Sequence, residues 1–334
     1  MSIEKDKKIK PILIVGLPRS GTTWQFNVMR KAHGIHALLE PDNEKLNPFA
    51  IIGKESLHRF PQNPNNDNLE HHYHFWLQIF SGGWKDGVSK NFINRCLLIA
   101  SQVEFIIQNK CDFTIPENNL ISYKASKINY VSFFNLKVIK KYEKYLNNFT
   151  TDRVLVKSVH CLRQLDWIKE NFNPNIVLLT RGLKNLIASY LRLKLPDALR
   201  GISTMIDIQE KVEEIISYEK DKNYIIFHMI VIQACELTYH LIKFHKNNAD
   251  TKLFKHEEVC INPTNHFQKL FESLDLTWNS DLENYLNDVN KKGSKRKAVR
   301  LVRNEKVRYK DDLNIKQIEI IERYGLLYKL ENYL

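Results

Sequence analysis

Ile12 to Trp24, ILIVGLPRSGTTW, carries an apolar run into a glycine-bounded loop that holds one arginine and several hydroxyl side chains. Ile12-Leu13-Ile14-Val15 has the length and branching of a strand buried on both faces, the habit of parallel sheets. Gly16 and Gly21 bracket Leu17, Pro18, Arg19 and Ser20. Backbone N–H groups of such a loop can turn inward around an anion, while the following helix points its positive end at the same place. The spacing matches the nucleotide loop G-x-x-x-x-G-K-[ST], except that Thr22 stands where that loop has lysine. A Mg²⁺-triphosphate kinase would lack its loop lysine. Arg19 instead offers a planar guanidinium to an oxyanion, Ser20, Thr22 and Thr23 add hydroxyls, and Trp24 brings a ring able to stack on a base.

A second strand is Arg153-Val154-Leu155-Val156-Lys157, running into Ser158-Val159-His160. A helix from Leu162 to Asn171 leads through Asn173-Pro174 into a third strand, Ile176 to Leu179. Strand, helix and strand in so short a span make a βαβ crossover and hence a parallel sheet. Ligands of such sheets bind beyond the carboxyl ends of the strands, where Gly16 to Arg19, Lys157 to His160 and Thr180-Arg181 all fall. The expected fold is therefore three-layer α/β: a central parallel sheet with a P-loop-like phosphate-binding loop, flanked by helices.

Working outward, residues 22–33 continue as helix, and Ile35 to Leu39 is a short apolar segment ending at Glu40-Pro41. Asn43 to Asn68, rich in Asn and Pro, reads as loop. Glu70 to Gln108 has a helical pattern, as does Phe133 to Leu146, where Lys137, Lys140, Lys141 and Lys144 share a face. Residues 42–150 are thus expected to be a loop and helical insertion shaping an acceptor pocket within one domain spanning 1–334. Leu183 to Leu193 reads as helix, with Ser189 eight positions beyond Arg181. Lys252 to Lys255 reads as a strand, Asn262-Pro263 as a helix start, and Asn314 to Tyr333 as amphipathic helix.

A chain of 334 residues can bury one substantial core. Its formal charge of +12 predicts attraction to anions. No helix-turn-helix or zinc-finger spacing accompanies that charge, so a non-enzymatic nucleic-acid binder rests only on net charge and the basic run Lys291 to Lys297. Tyr224 to Phe244 is interrupted by His228, Gln233, Glu236, His240 and Lys243 and is expected to be a buried helix, with no membrane span. The first ten residues are polar and lysine-rich, which points to the cytoplasm. Five scattered cysteines suggest reduced thiols. His71, His72 and His74 cluster without a companion ligand spacing, so no metal is expected. Nothing in the pattern fixes the oligomeric state.

Taken together, these residues resemble the sulfotransferases that use 3′-phosphoadenosine 5′-phosphosulfate (PAPS). Gly16 to Trp24 looks like that family's 5′-phosphosulfate loop. The resemblance implies that Arg19 contacts the 5′-phosphate and sulfuryl group, that Ser20, Gly21, Thr22 and Thr23 hold the 5′-phosphate, and that Trp24 stacks on adenine. Arg181 and Ser189 resemble the pair that grips the 3′-phosphate, and Lys292-Gly293 is similar to the basic-glycine cofactor loop. Lys255-His256-Glu257-Glu258-Val259, Asn262-Pro263 and Leu274-Asp275-Leu276 resemble the family's late strand, acidic turn, helix start and Leu-Gly-Leu ending, with Asp275 in place of glycine.

By the same likeness Lys157 contacts the transferred group. Two residues compete as general base. His160 lies in a Lys-Ser-x-His string, one place later than in many cytosolic members, and a single step along a strand reverses the face. Glu40, in Leu39-Glu40-Pro41, resembles the Glu-Pro site of carbohydrate sulfotransferases. The implied reaction is sulfuryl transfer from PAPS to a hydroxyl or, less readily, an amine of a glycan or small metabolite, leaving 3′-phosphoadenosine 5′-phosphate (PAP).

Overall fold

The computed structural model describes residues 9–43, 47, 50, 60–61, 69–82, 152–192, 211, 214–215, 217–291 and 309–334. Five strands form one parallel sheet: β1 (Ile12–Gly16), β2 (Ile35–Leu39), β3 (Arg153–Ser158), β4 (Asn175–Thr180) and β5 (Lys252–Lys255), in the order β2-β3-β1-β4-β5. The central strand is β1, with β3 on one side, Ile14 opposite Lys157, and β4 on the other, Gly16 opposite Leu179.

Alternation along these strands builds two cores. Leu13, Val15, Val154, Val156, Ile176 and Leu178 face one side. That side is covered by α2 (Leu69–Phe80), α3 (Leu165–Phe172), α4 (Leu183–Arg192), α5 (Lys222–Asn247) and α9 (Ile315–Leu327). Ile12, Ile14, Leu155, Val177 and Leu179 face the other. There they meet α1 (Thr22–Met29), α6 (His256–Ile261), α7 (Pro263–Glu272) and α8 (Ser280–Lys291). The result is the three-layer α/β architecture. Because α1 leaves β1 toward one layer and α3 leaves β3 toward the other, the two connections part above the carboxyl edge and open a crevice there.

Several local expectations change. Ile35–Leu39 is a full edge strand, paired in parallel with β3 from Ile35↔Arg153 to Leu39↔Lys157. The helical pattern expected from Glu70 to Gln108 is met by α2 as far as Phe80, where Ser81 N–H bonds back to Leu77 O and Gly82 turns left-handed at φ 73°; residues 83–108 lie outside the described residues. Glycine past a helix end is the usual stop signal. The C-terminal helix ends at Leu327, after which Glu331–Tyr333 forms a 3₁₀ turn. Its start is a full capping box on Asn314 and Gln317. Asp275, where the family pattern has glycine, adopts φ 53°. The position demands a left-handed residue, and aspartate is among the few side chains that tolerate it.

The apolar stretch of α5 is long enough to cross a membrane by length and composition, yet 72% of its most apolar window is buried. Val231, Ile232, Cys235 and Leu241 are buried in the first core, so it is packed as a core helix. His72 lies against Trp167, ring centroids 4.6 Å apart, and belongs to the packing of α2 on α3. Cys161, Cys235 and Cys260 take part in no disulfide among the described residues. Cys96, Cys111 and most of the expected 42–150 insertion lie outside the described residues.

Candidate active site

The loop after β1 is shaped by close approach. A Cβ at Gly16 would stand 2.5 Å from both Leu179 O and Ser20 Oγ, so only hydrogen fits between β4 and the folded-back loop. Leu17 O accepts from Ser20 N–H at 3.0 Å, closing the turn. Gly21, at φ 97°, is the N-cap of α1, and neither a capping side chain nor an acidic residue serves that first turn. The helix start therefore keeps donors for an external anion. Ser20 Oγ is buried without a hydrogen-bond partner among the described residues. A buried orphan hydroxyl beside an uncapped helix start fits a phosphate oxygen.

Arg19 sits at φ 70°, a left-handed conformation that a long side chain adopts only when its surroundings impose it. Those surroundings are the end of β4 and the helix after it. Arg181 donates from NH1 to Arg19 O at 3.0 Å, and Arg19 Nε donates to Ser189 Oγ at 3.3 Å. Two turns of α4 separate Arg181 from Ser189 along the chain, and the loop arginine spans that gap by touching both.

Glu257, on α6, holds this corner. Its carboxylate accepts from Gly182 N–H (3.2 and 3.3 Å) and Asn185 Nδ2 (3.2 Å), and lies 3.9 Å from Arg181 Nε. It thus caps the start of α4 and faces the guanidinium. Beside it His256 fills the space that Gly21 leaves open: a Cβ there would be 2.3 Å from His256 Nδ1. His256 also touches Cys260 Sγ through Nε2 at 3.5 Å.

On the other side of β1, the tips of β2 and β3 meet. Glu40 N–H donates to Lys157 O at 2.7 Å, extending the strand pairing by one bond. Lys157 Nζ forms an ion pair with Glu40 Oε1, the side chains being 3% and 17% exposed. Asn43 Nδ2 donates to Glu40 Oε2 at 2.7 Å, and His160 Nε2 lies 3.9 Å from the same oxygen. Glu40 itself is left-handed at φ 47°.

The face problem posed by His160 has a local answer. Strand β3 ends at Ser158, whose Oγ donates to Asp42 Oδ2 (2.6 Å) and accepts from the N–H groups of His160 (3.0 Å) and Cys161 (3.2 Å). That serine turns the chain, and His160 takes helical angles (φ −106°, ψ −32°) as the cap of the 3₁₀ turn Cys161–Gln164. The strand alternation no longer applies, and the imidazole comes round to Glu40.

Among the residues predicted from sequence, the structure brings Arg19, Ser20, Gly21, Thr22, Thr23, Arg181 and Ser189 to one corner and Glu40, Lys157 and His160 to the adjoining one. Trp24 is 8% exposed and stands edge-on to Phe267, centroids 5.3 Å apart, as a wall of the second core. Lys292 and Gly293 lie outside the described residues. Sequence reading gave no role to His256, Asp42, Asn43 or Gln25, and noted Glu257 only as part of an acidic turn. Gln25, buried on α1, has both amide atoms without a partner among the described residues.

Neither a protein-family model nor a curated protein sequence matches this chain. Its chain trace is similar to those of solved sulfotransferases. The sulfotransferase domain from the curacin biosynthetic pathway shares 12% identity at TM-score 0.45, covering 96% of this chain and 98% of that one. The sulfotransferase domain of the Synechococcus PCC 7002 olefin synthase gives 11% and 0.40, covering 97% and 98%. Sulfotransferase STF9 from Mycobacterium avium gives 12% and 0.42, covering 96% and 77%.

Proposed function

We propose that this protein is a PAPS-dependent sulfotransferase acting on a hydroxyl acceptor, a carbohydrate or other small metabolite, in the cytoplasm. The observation that carries the reading is the junction of strand tips at Arg19, whose carbonyl accepts from Arg181 and whose guanidinium reaches Ser189. Two guanidinium groups, a serine and an uncapped helix start on one edge suit a ligand with phosphates at two places. A loop without lysine suits a donor that needs no Mg²⁺-bound triphosphate.

In this reading the Gly16–Thr23 loop holds the 5′-phosphate, Arg181, Ser189 and Lys292-Gly293 the 3′-phosphate, and the adenine packs against the small part of Trp24 that the second core leaves exposed. PAPS supplies the sulfuryl group: the acceptor oxygen bonds to sulfur as the bond from sulfur to the phosphate oxygen breaks, its electron pair staying on the phosphate. Arg19 and Lys157 balance negative charge on the oxygens around sulfur. Glu40 or His160, adjacent to each other and to Lys157, receives the acceptor proton. Glu257 orients Arg181.

Transfer of labelled sulfate from PAPS to a panel of sugars, phenols and lipids tests the activity and finds the acceptor class. Calorimetry tests the donor site: PAP binds with micromolar or tighter affinity, and Arg181→Ala weakens it by about tenfold or more, the loss of a charged hydrogen-bonding partner. Equal affinity for PAP and adenosine 5′-monophosphate in the wild type would remove the 3′-phosphate clamp and the reading with it.

A further inference from the structure

Lys157 and Glu40 are each assigned a task that the other, as paired here, obstructs. The Glu40 oxygen that faces the ammonium is occupied by it, and the ammonium so held is not free for a sulfuryl oxygen. We propose that Lys157 exchanges partners: it holds Glu40 while the donor site is empty and passes to the sulfuryl oxygens when PAPS binds, which frees the Glu40 carboxylate for the acceptor's proton. This rests on the sulfotransferase reading above and adds to it an order of events, donor first and base second.

Three features of the site suit the exchange. The backbone bond from Glu40 N–H to Lys157 O at 2.7 Å pins the two residues together, so only the flexible lysine stem has to move. That stem starts on β3 opposite Ile14, two residues before the phosphate loop opens at Gly16. When the ammonium leaves, Glu40 is not stranded, because Asn43 Nδ2 at 2.7 Å and His160 Nε2 at 3.9 Å stay on its other oxygen. A buried charge deprived of every partner would make the exchange prohibitive. Glu40 and PAPS thus compete for one ammonium, and the competition is confined to the sulfuryl end of the donor, since PAP has no group there.

The test is calorimetry on the full chain without acceptor, using PAPS and PAP as paired probes on wild type, Glu40→Gln, Lys157→Met and the double variant. Glu40→Gln removes the competitor and raises the preference for PAPS over PAP by about tenfold, within the usual range of coupling between sites. Lys157→Met lowers PAPS affinity, spares PAP, and abolishes the effect of Glu40→Gln. An unchanged preference in Glu40→Gln overturns the exchange, as would equal losses for both ligands in Lys157→Met, which reads the same point should Glu40→Gln fail to fold. PAP that does not bind the wild type sinks the sulfotransferase reading itself. PAP that binds, with a preference indifferent to Glu40, sinks the exchange alone.

Discussion

One methyl group at Gly21 should separate the two demands made on the phosphate loop. The residue is at φ 97°, and a left-handed backbone costs an ordinary L-residue about 1–2 kcal/mol. Its Cβ would also lie 2.3 Å from His256 Nδ1 and 2.9 Å from Cε1, distances that force the imidazole to move. His256 is buried and its ring is edge-on to Trp24, centroids 6.2 Å apart, so displacing it disturbs the second core; such overpacking costs about 1–3 kcal/mol. Gly21→Ala is therefore expected to lose about 2–5 kcal/mol in urea unfolding, and PAP binding with it, because α1 no longer starts where the loop needs it. His256→Ala removes the collision and leaves the backbone strain. Relative to its own His256→Ala parent, the double variant should lose only about 1–2 kcal/mol. Gly21→Ala within about 0.5 kcal/mol of wild type, inside the usual range of neutral surface changes, would refute the close packing. So would a double variant that recovers nothing.

Two further outcomes follow from the structure. Ser158→Ala leaves the N–H groups of His160 and Cys161 and the Asp42 carboxylate short of a partner, costing about 1–3 kcal/mol; steady-state kinetics should show kcat falling with PAP affinity preserved, and an unchanged kcat would mean His160 is not held by this turn. Burial, with the nearby Arg323 guanidinium adding to it, pushes the His228 imidazole down to about 4. Between its ordinary value near 6.5 and about 4 the unfolded chain takes a proton that the folded chain refuses, so stability falls as pH falls through that window, by up to about 3 kcal/mol. Urea midpoints at pH 7.5 and 5 should therefore fall less on acidification in His228→Gln than in wild type, and equal slopes would remove this account.

The strands at the centre of the sheet were legible because they are buried on both sides: Ile12 to Val15 in β1, Val154 to Val156 in β3 and Ile176 to Leu179 in β4 are short apolar runs rich in branched residues, bounded by polar, Pro or Gly positions. β2 was harder. At Ile35–Leu39 it is an edge strand with a half-buried pattern, and its role depends on pairing with residues far along the chain. The glycine-bounded loop of the candidate site was readable because its residues are contiguous in sequence. The second half of the site was not, since Glu40, Asp42, Ser158 and His160 come together only once β2 is laid beside β3. The left-handed angles at Arg19 and Glu40 were equally hidden: glycine advertises such a position, whereas arginine and glutamate do not. Asp275 is the exception, a left-handed residue foreshadowed by the glycine that the family pattern places there.

The meeting of Glu40 and Lys157 spans 117 positions of sequence. Closing a flexible loop grows costlier only with the logarithm of its length, about 0.6 kcal/mol for each doubling. The connection between β2 and β3 carries α2, whose Trp76 and Ile79 are buried in the first core, so insertions that leave α2 and the Glu40–Asn43 turn in place cost little more than this slowly growing entropy, while the anion-holding corner, assembled from β1, β4 and α6, is untouched by them. Under the sulfotransferase reading proposed above, the choice of acceptor can drift through that one interval while the grip on the donor, built on other strands, stays as it is.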